Sequence, residues 1–160
     1  MEKKNKITLV LFSGDMDKIM AAFNLAVGAA SMGMEATIFF TFWGLNAVRK
    51  HGSGSAARGI LQRMMSWMNK GGADKLPMSR FNMCGMGPKF MGILMKRYQM
   101  YSVPELIKIA KELGVKFIAC TITMGVMGIS KEDIIPEVDV YAGVVTFLTE
   151  AEESNISLFI

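Results

Sequence analysis

KITLVLFSGDMDKIMAAFNLAVGAASMGMEATIFFT, residues 6–41, decides the fold. Its first seven residues are β-branched and aliphatic and do not alternate after their start. Such a continuous apolar run, bounded by turn residues, reads as a strand buried on both faces, as in a parallel sheet. Ser13-Gly14-Asp15 makes the turn, and Asp15 or a neighbour caps a helix running to about Met32. Gly33 ends that helix, since only glycine enters the left-handed region freely. Residues 34–41, MEATIFFT, form a second strand. Strand, long helix and strand within so short a span make a βαβ unit with a right-handed crossover.

The pattern breaks over residues 43–100, which contain no convincing strand. A short helix is expected over 43–50, a Gly/Ser loop over 51–55 and a helix over 56–69. An irregular Gly-, Pro- and Met-rich stretch follows to 87. Pro88 then suits the first turn of a helix to about Gln99. Order returns at Ser102, where serine followed three residues later by Glu105 makes a capping box for a helix to Leu113. Residues 115–120, VKFIAC, form a third buried strand. Ser130 caps a short turn over 131–135, and 138–141 is a short strand. A helix over 142–153 and a strand over 156–160 close the chain. Five strands separated by helices predict a three-layer, doubly wound α/β sheet of the flavodoxin or Rossmann type. Residues 1–160 read as one domain, with 43–100 as a helical, Met-rich, basic insertion.

The 160 residues are 51% apolar, with a mean hydropathy of +0.32. That value raises the question of a membrane span, which needs about 18 to 20 uninterrupted apolar residues. The longest uncharged windows, 19–34, 36–48 and 117–130, are shorter. The N-terminal MEKKNK enters a strand without a cleavage site, so no signal peptide is expected. Two cysteines 36 positions apart are neither a disulfide framework nor a zinc knuckle. Free thiols fit a reducing cytoplasm. His51 is the only histidine, too few for a His/Cys metal site. No metal or cofactor is expected.

Charge is unevenly distributed. Residues 49–97 hold ten basic groups against Asp74 alone, and residues from 98 onward hold four lysines against nine acids. The middle segment therefore faces an anionic partner or surface, or docks on the acidic end of its own or a neighbouring subunit. Eight of the sixteen methionines lie between Met64 and Met95. Met64, Met65 and Met68 share a helix face, as do Met91 and Met95. They supply core filling, an oligomer contact, or an amphipathic surface touching an anionic membrane or a partner protein. The segment has no recognised nucleic-acid-binding motif, so nucleic acid is not expected as a partner.

In open parallel sheets, ligands gather beyond the carboxyl ends of the strands. Ser13-Gly14-Asp15, Thr41-Phe42-Trp43-Gly44 and Cys120-Thr121-Ile122-Thr123 fall there. Cys120 closes a strand, and residues 121–127 can enter a helix. A thiol there meets unpaired N–H groups and the positive end of the dipole, which favour thiolate, the nucleophilic form. Thr121 and Thr123 add hydroxyl donors. The competing reading is a small buried core residue. Cys84, between Arg80 and Lys89, is either a second working thiol or an incidental loop cysteine. Ser13 and Gly14 follow a strand like a phosphate-binding turn but lack the glycine pattern, and read better as turn and cap. His51 reads as solvated, and Asp15 and Asp17 lack partners at metal-ligand spacing.

Taken together, residues 7–50, FNMCGMGPKFM (81–91), VPELIKIAKELGVKFIACTITMGVMGI (103–129) and YAGVVTFLTEAEESNISLFI (141–160) resemble the DsrE/DsrF/DsrH-like sulfur-relay family. The closest likeness is to the DsrE-related branch often labelled peroxiredoxin-like. No peroxidatic Pro-Thr-Cys motif supports that label. The resemblance implies a flavodoxin-like fold of five parallel strands, homo-oligomeric assembly, and sulfur binding or transfer with protein donors and acceptors. It also implies that the cysteine after the third core strand, here Cys120, is the working residue. The expected activity is a sulfurtransferase or carrier using a Cys120 persulfide. A reversible Cys84–Cys120 pair in a redox or ligand-binding module is the first alternative, and a peripheral-membrane adaptor the second.

Overall fold

A computed structural model describes residues 4–53 and 59–160. Five strands form one sheet: β1 (Lys4–Leu11), β2 (Glu35–Phe40), β3 (Lys116–Cys120), β4 (Val140–Ala142) and β5 (Ser154–Phe159). Every pairing is parallel, in the order β4-β3-β2-β1-β5. The chain steps outward from β1 to β4, then returns across the sheet to lay β5 beside β1.

That reversal assigns the helices to faces, because right-handed crossovers in opposite directions land on opposite sides. The α1 helix (Met16–Ser31), α4 (Val103–Glu112) and α5 (Thr121–Met127) pack on one face, and α6 (Val144–Glu152) on the other. The first face holds the larger core. Strand alternation sends Ile7, Leu9, Leu11, Ile38, Phe40 and Phe117 into it, where they meet Ile19, Phe23, Leu106 and Ile107. Phe117 stands edge-on to both Phe23 and Phe40, with ring centres 5.7 and 5.3 Å apart. The apolar cluster on the second face is smaller, made of Val10, Phe39, Ile118 and Cys120 with Phe147 of α6 against them, and polar Lys6 and Thr8 are buried beside it.

No α6 side chain is fully buried. Instead its Glu150 clamps the sheet. Lys6, 4% exposed, reaches Glu150 at 2.5 Å, and Lys116 reaches its other oxygen at 2.6 Å. Burial alone would raise the Glu150 carboxyl's pKa. The hydrogen bonds from Lys116 and Lys6 outweigh it and hold the carboxyl below the ordinary range.

The expected elements are present with ends shifted by a few residues. The Ser102–Glu105 cap is formed, with the Ser102 N–H donating to Glu105 at 2.7 Å. The middle segment holds α2 (Ile60–Met68) and α3 (Met86–Arg97), and α2 buries no residue. The expected short helix after β2 is 3-10 and ends sooner, at Phe42–Ala47. The expected start of the helix over 56–69, part of the Gly/Ser loop and Arg58 lie outside the described residues. The ion pairs among the described residues use Lys6, Lys18, Lys111 and Lys116, all outside the basic segment 49–97. Arg49 does lie near Asp133 of the acidic end.

Candidate functional site

Because the sheet is parallel, all five strands end at one edge. Cys120 is the last residue of β3, in register with Ala142 of β4. Phe117 and Ala119 face the larger core, so Cys120 and Ile118 face α6. The chain then turns directly into α5, making Cys120 its N-cap residue with an extended backbone. Cys120 is 5% exposed.

Three residues surround the sulfur. Thr123, buried on the first turn of α5, donates its hydroxyl to Cys120 Sγ at 3.5 Å. Thr41, just beyond β2, places its Oγ1 3.0 Å from Thr123 Oγ1. A hydroxyl has one proton, so when Thr123 gives its own to sulfur, Thr41 donates to Thr123. The backbone N–H groups of Thr123 and Ile122 complete the shell as nearby dipoles, without the geometry of a formed cap bond. Burial alone would push the Cys120 thiol up. The Thr123 hydroxyl and N–H, the Thr41 hydroxyl and the Ile122 N–H together overcome it and hold the thiol below its ordinary pKa. No charged side chain contributes to that shift.

The remaining residues singled out in the sequence lie elsewhere. Thr121 is exposed on α5. Ser13 bonds within its own turn, its hydroxyl donating to Asp15 at 3.1 Å and accepting the Asp15 N–H at 3.2 Å. Gly14 packs against Trp43, where a Cβ would meet the Trp43 carbonyl at 2.9 Å. Both residues line a cavity of about 380 Å³ beyond β1 with Lys18 and Asn46. Asp15 pairs with Lys18 at 3.0 Å, and Asp17 accepts from the Ser79 N–H and hydroxyl. Cys84 is exposed and lines a different cleft, with His51. Sequence reasoning placed Thr41 at the strand edge but missed its bond to Thr123. It also missed the apolar cover from Phe39, Val10 and Phe147. No local signal announces them, because they come from four separate elements.

Together the fold and this edge define a parallel α/β protein with a buried thiol, held below its ordinary pKa, at the edge where such sheets gather ligands. The chain belongs to the DsrE/DsrF/DrsH-like family, whose profile matches residues 3–159. It is 45% identical to the uncharacterized protein YrkE of Bacillus subtilis (strain 168), over 99% of both chains. It is 33% identical to the sulfur carrier protein DsrE2 of Allochromatium vinosum, over the full length of each. The family resemblance read from the sequence holds across nearly the whole chain.

Proposed function

We propose that the protein carries sulfane sulfur as a persulfide on Cys120, within a reducing cytoplasm. The observation that carries this reading is the hydrogen-bond shell that lowers the Cys120 thiol without any charged partner. Likeness to a protein named a sulfur carrier supports it. In the first step the Cys120 thiolate attacks the outer sulfur of a donor persulfide R–S–SH. The new Cys120–S bond forms, the donor S–S bond breaks, and R–S⁻ leaves. An acceptor thiolate then attacks the terminal sulfur of Cys120–S–SH and restores the Cys120 thiolate. Sulfane sulfur moves between thiols with no external oxidant, so an acid–base pair is not required. Protein donors and acceptors fit this exchange.

The test is intact mass spectrometry after incubation with inorganic polysulfide, followed by peptide mapping. The expected result is a gain of about 32 Da on the Cys120 peptide, reversed by dithiothreitol and absent in Cys120→Ser. A loss of about 2 Da joining the Cys84 and Cys120 peptides would favour the disulfide module instead. An unmodified Cys120 in folded protein would end the carrier reading.

A second reading rests on the surface of α2 and α3. Ile60, Leu61, Trp67, Met68, Phe90 and Ile93 are exposed there, among Arg63, Lys96 and Arg97. Among the described residues no helix is long and apolar enough to cross a membrane. An apolar face flanked by cations suits attachment to an anionic bilayer. Co-sedimentation with phosphatidylglycerol vesicles, lost in high salt and in Trp67→Glu, is the expected result. Equal recovery with neutral phosphatidylcholine vesicles would overturn it.

A further inference from the structure

A cleft of about 730 Å³, separate from the Cys120 cluster, is lined by Lys70, Lys75, Lys89, His51 and Cys84, with Asp74 the only acid on its wall. Among the described residues none of the three lysines has a carboxylate partner. His51 Nδ1 lies 2.8 Å from the Gly71 carbonyl, which can only accept, so Nδ1 carries the proton. Behind Asn69 of the cleft wall sits Arg49, 2% exposed. Its Nη1 donates to the Asn69 carbonyl at 2.8 Å, while its Nη2 has no acceptor. Asp133 offsets part of that buried charge. The result is a concave surface with three lysines that form no ion pair among the described residues, one acid, and a thiol in its wall.

Uncompensated cations around a concavity concentrate small anions far more than they attract neutral molecules. The volume lies in the range of small-molecule sites and suits a ligand of tripeptide size. We propose that this cleft admits a low-molecular-weight organic persulfide bearing two or more carboxylates and presents it to Cys84. The proposal rests on the sulfur-relay reading and adds a substrate class and a loading thiol to it. The Cys84 thiolate attacks the outer sulfur of R–S–SH. The Cys84–S bond forms, the donor S–S bond breaks, and the anionic thiolate R–S⁻ leaves, so that no electrons are gained or lost overall. The released thiolate has lost a sulfur but keeps its carboxylates, so the lysines hold substrate and product alike.

The test uses the full chain carrying Cys120→Ser, so failure of the Cys120 reading leaves this measurement intact. The rate of the persulfide adduct on the Cys84 peptide is followed with glutathione persulfide, which is anionic, and with cysteamine persulfide, which carries an ammonium group. Combining Lys70→Gln, Lys75→Gln and Lys89→Gln is expected to slow the glutathione persulfide reaction roughly tenfold or more, and to leave the cysteamine persulfide reaction undiminished. Thermal melting checks that the variant folds, and restoring positive charge with Arg at the three positions rescues the rate if the cleft acts through charge. Equal loss with both probes, or no loss with either, overturns the proposal.

Discussion

Replacing Thr123 with valine is expected to shift the titration of the Cys120 thiol upward. The Thr123 hydroxyl is the largest of the lowering influences on a sulfur that burial alone would push up. A hydrogen bond to a charged acceptor is worth about 1.5 to 3 kcal/mol, and one pKa unit corresponds to about 1.4 kcal/mol. Valine keeps the shape of threonine and removes the donor, and it leaves the Thr41 hydroxyl without its partner at 3.0 Å. The sign follows from the thiolate: a lost donor destabilises the charged form, so at any pH below the pKa the thiolate fraction falls, about tenfold per unit. The higher-pKa thiolate is more nucleophilic, which returns part of the lost rate. The measurement is thiolate absorbance near 240 nm against pH in a Cys84→Ser background, where one thiol reports. An unchanged titration would show that the Thr123 hydroxyl does not hold the thiolate.

The sequence was most legible where structure is local. The run from Lys6 to Phe12 reads as a buried strand because it lacks alternation, and β1 lies inside the sheet between β2 and β5. Residues 121–127 read as a helix after a cysteine, and α5 has those bounds. The direction of the Cys120 side chain was not legible. It depends on which face each crossover covers, and so on β5 returning to the far edge. Thr41 and Thr123 are 82 residues apart, and only the pairing of β2 with β3 brings them together. The charge run at 49–97 was visible as composition. That Lys70, Lys75 and Lys89 line one cleft depends on loops with no period to read.

Under the proposed carrier reading, little catalytic apparatus is needed around Cys120. Sulfur exchange between thiols needs an attacking thiolate and a leaving thiolate, both stable near neutral pH. A threonine pair and two amides suffice to favour the first. A full charge beside the sulfur would lower the pKa further, but an over-stabilised thiolate attacks more slowly. A neutral shell therefore suits a carrier that must both accept sulfur and be attacked in turn.

Gly44→Ala is expected to be the most damaging single-methyl change in the chain's strand-edge loops, and to reach the thiol as well. A Cβ on Gly44 would lie 2.0 Å from the Leu11 carbonyl oxygen and 2.7 Å from its carbon. Both are backbone atoms, so no side-chain rotation relieves the clash. That carbonyl accepts the Thr41 N–H at 3.1 Å, and the Gly44 N–H is itself held by Phe12 and Thr41 carbonyls, each at 2.9 Å. Making room for a methyl must therefore displace Thr41, the residue hydrogen-bonded to Thr123 beside Cys120. Overpacking against backbone costs about 3 kcal/mol, and at this chain length that lowers Tm by roughly 10 °C. Gly28→Ala is the matched control. Gly28 lies within α1, nothing stands within 4 Å of its added Cβ, and alanine there stabilises by about 0.5 to 1 kcal/mol. Thermal melts of the two variants should move in opposite directions. In Gly44→Ala protein still folded at low temperature, the Cys120 titration should also shift upward, while Gly28→Ala leaves it in place. A destabilised Gly44→Ala with an unmoved thiol would mean that Thr41 keeps its position and that the strand-edge turn does not set the chemistry of the sulfur.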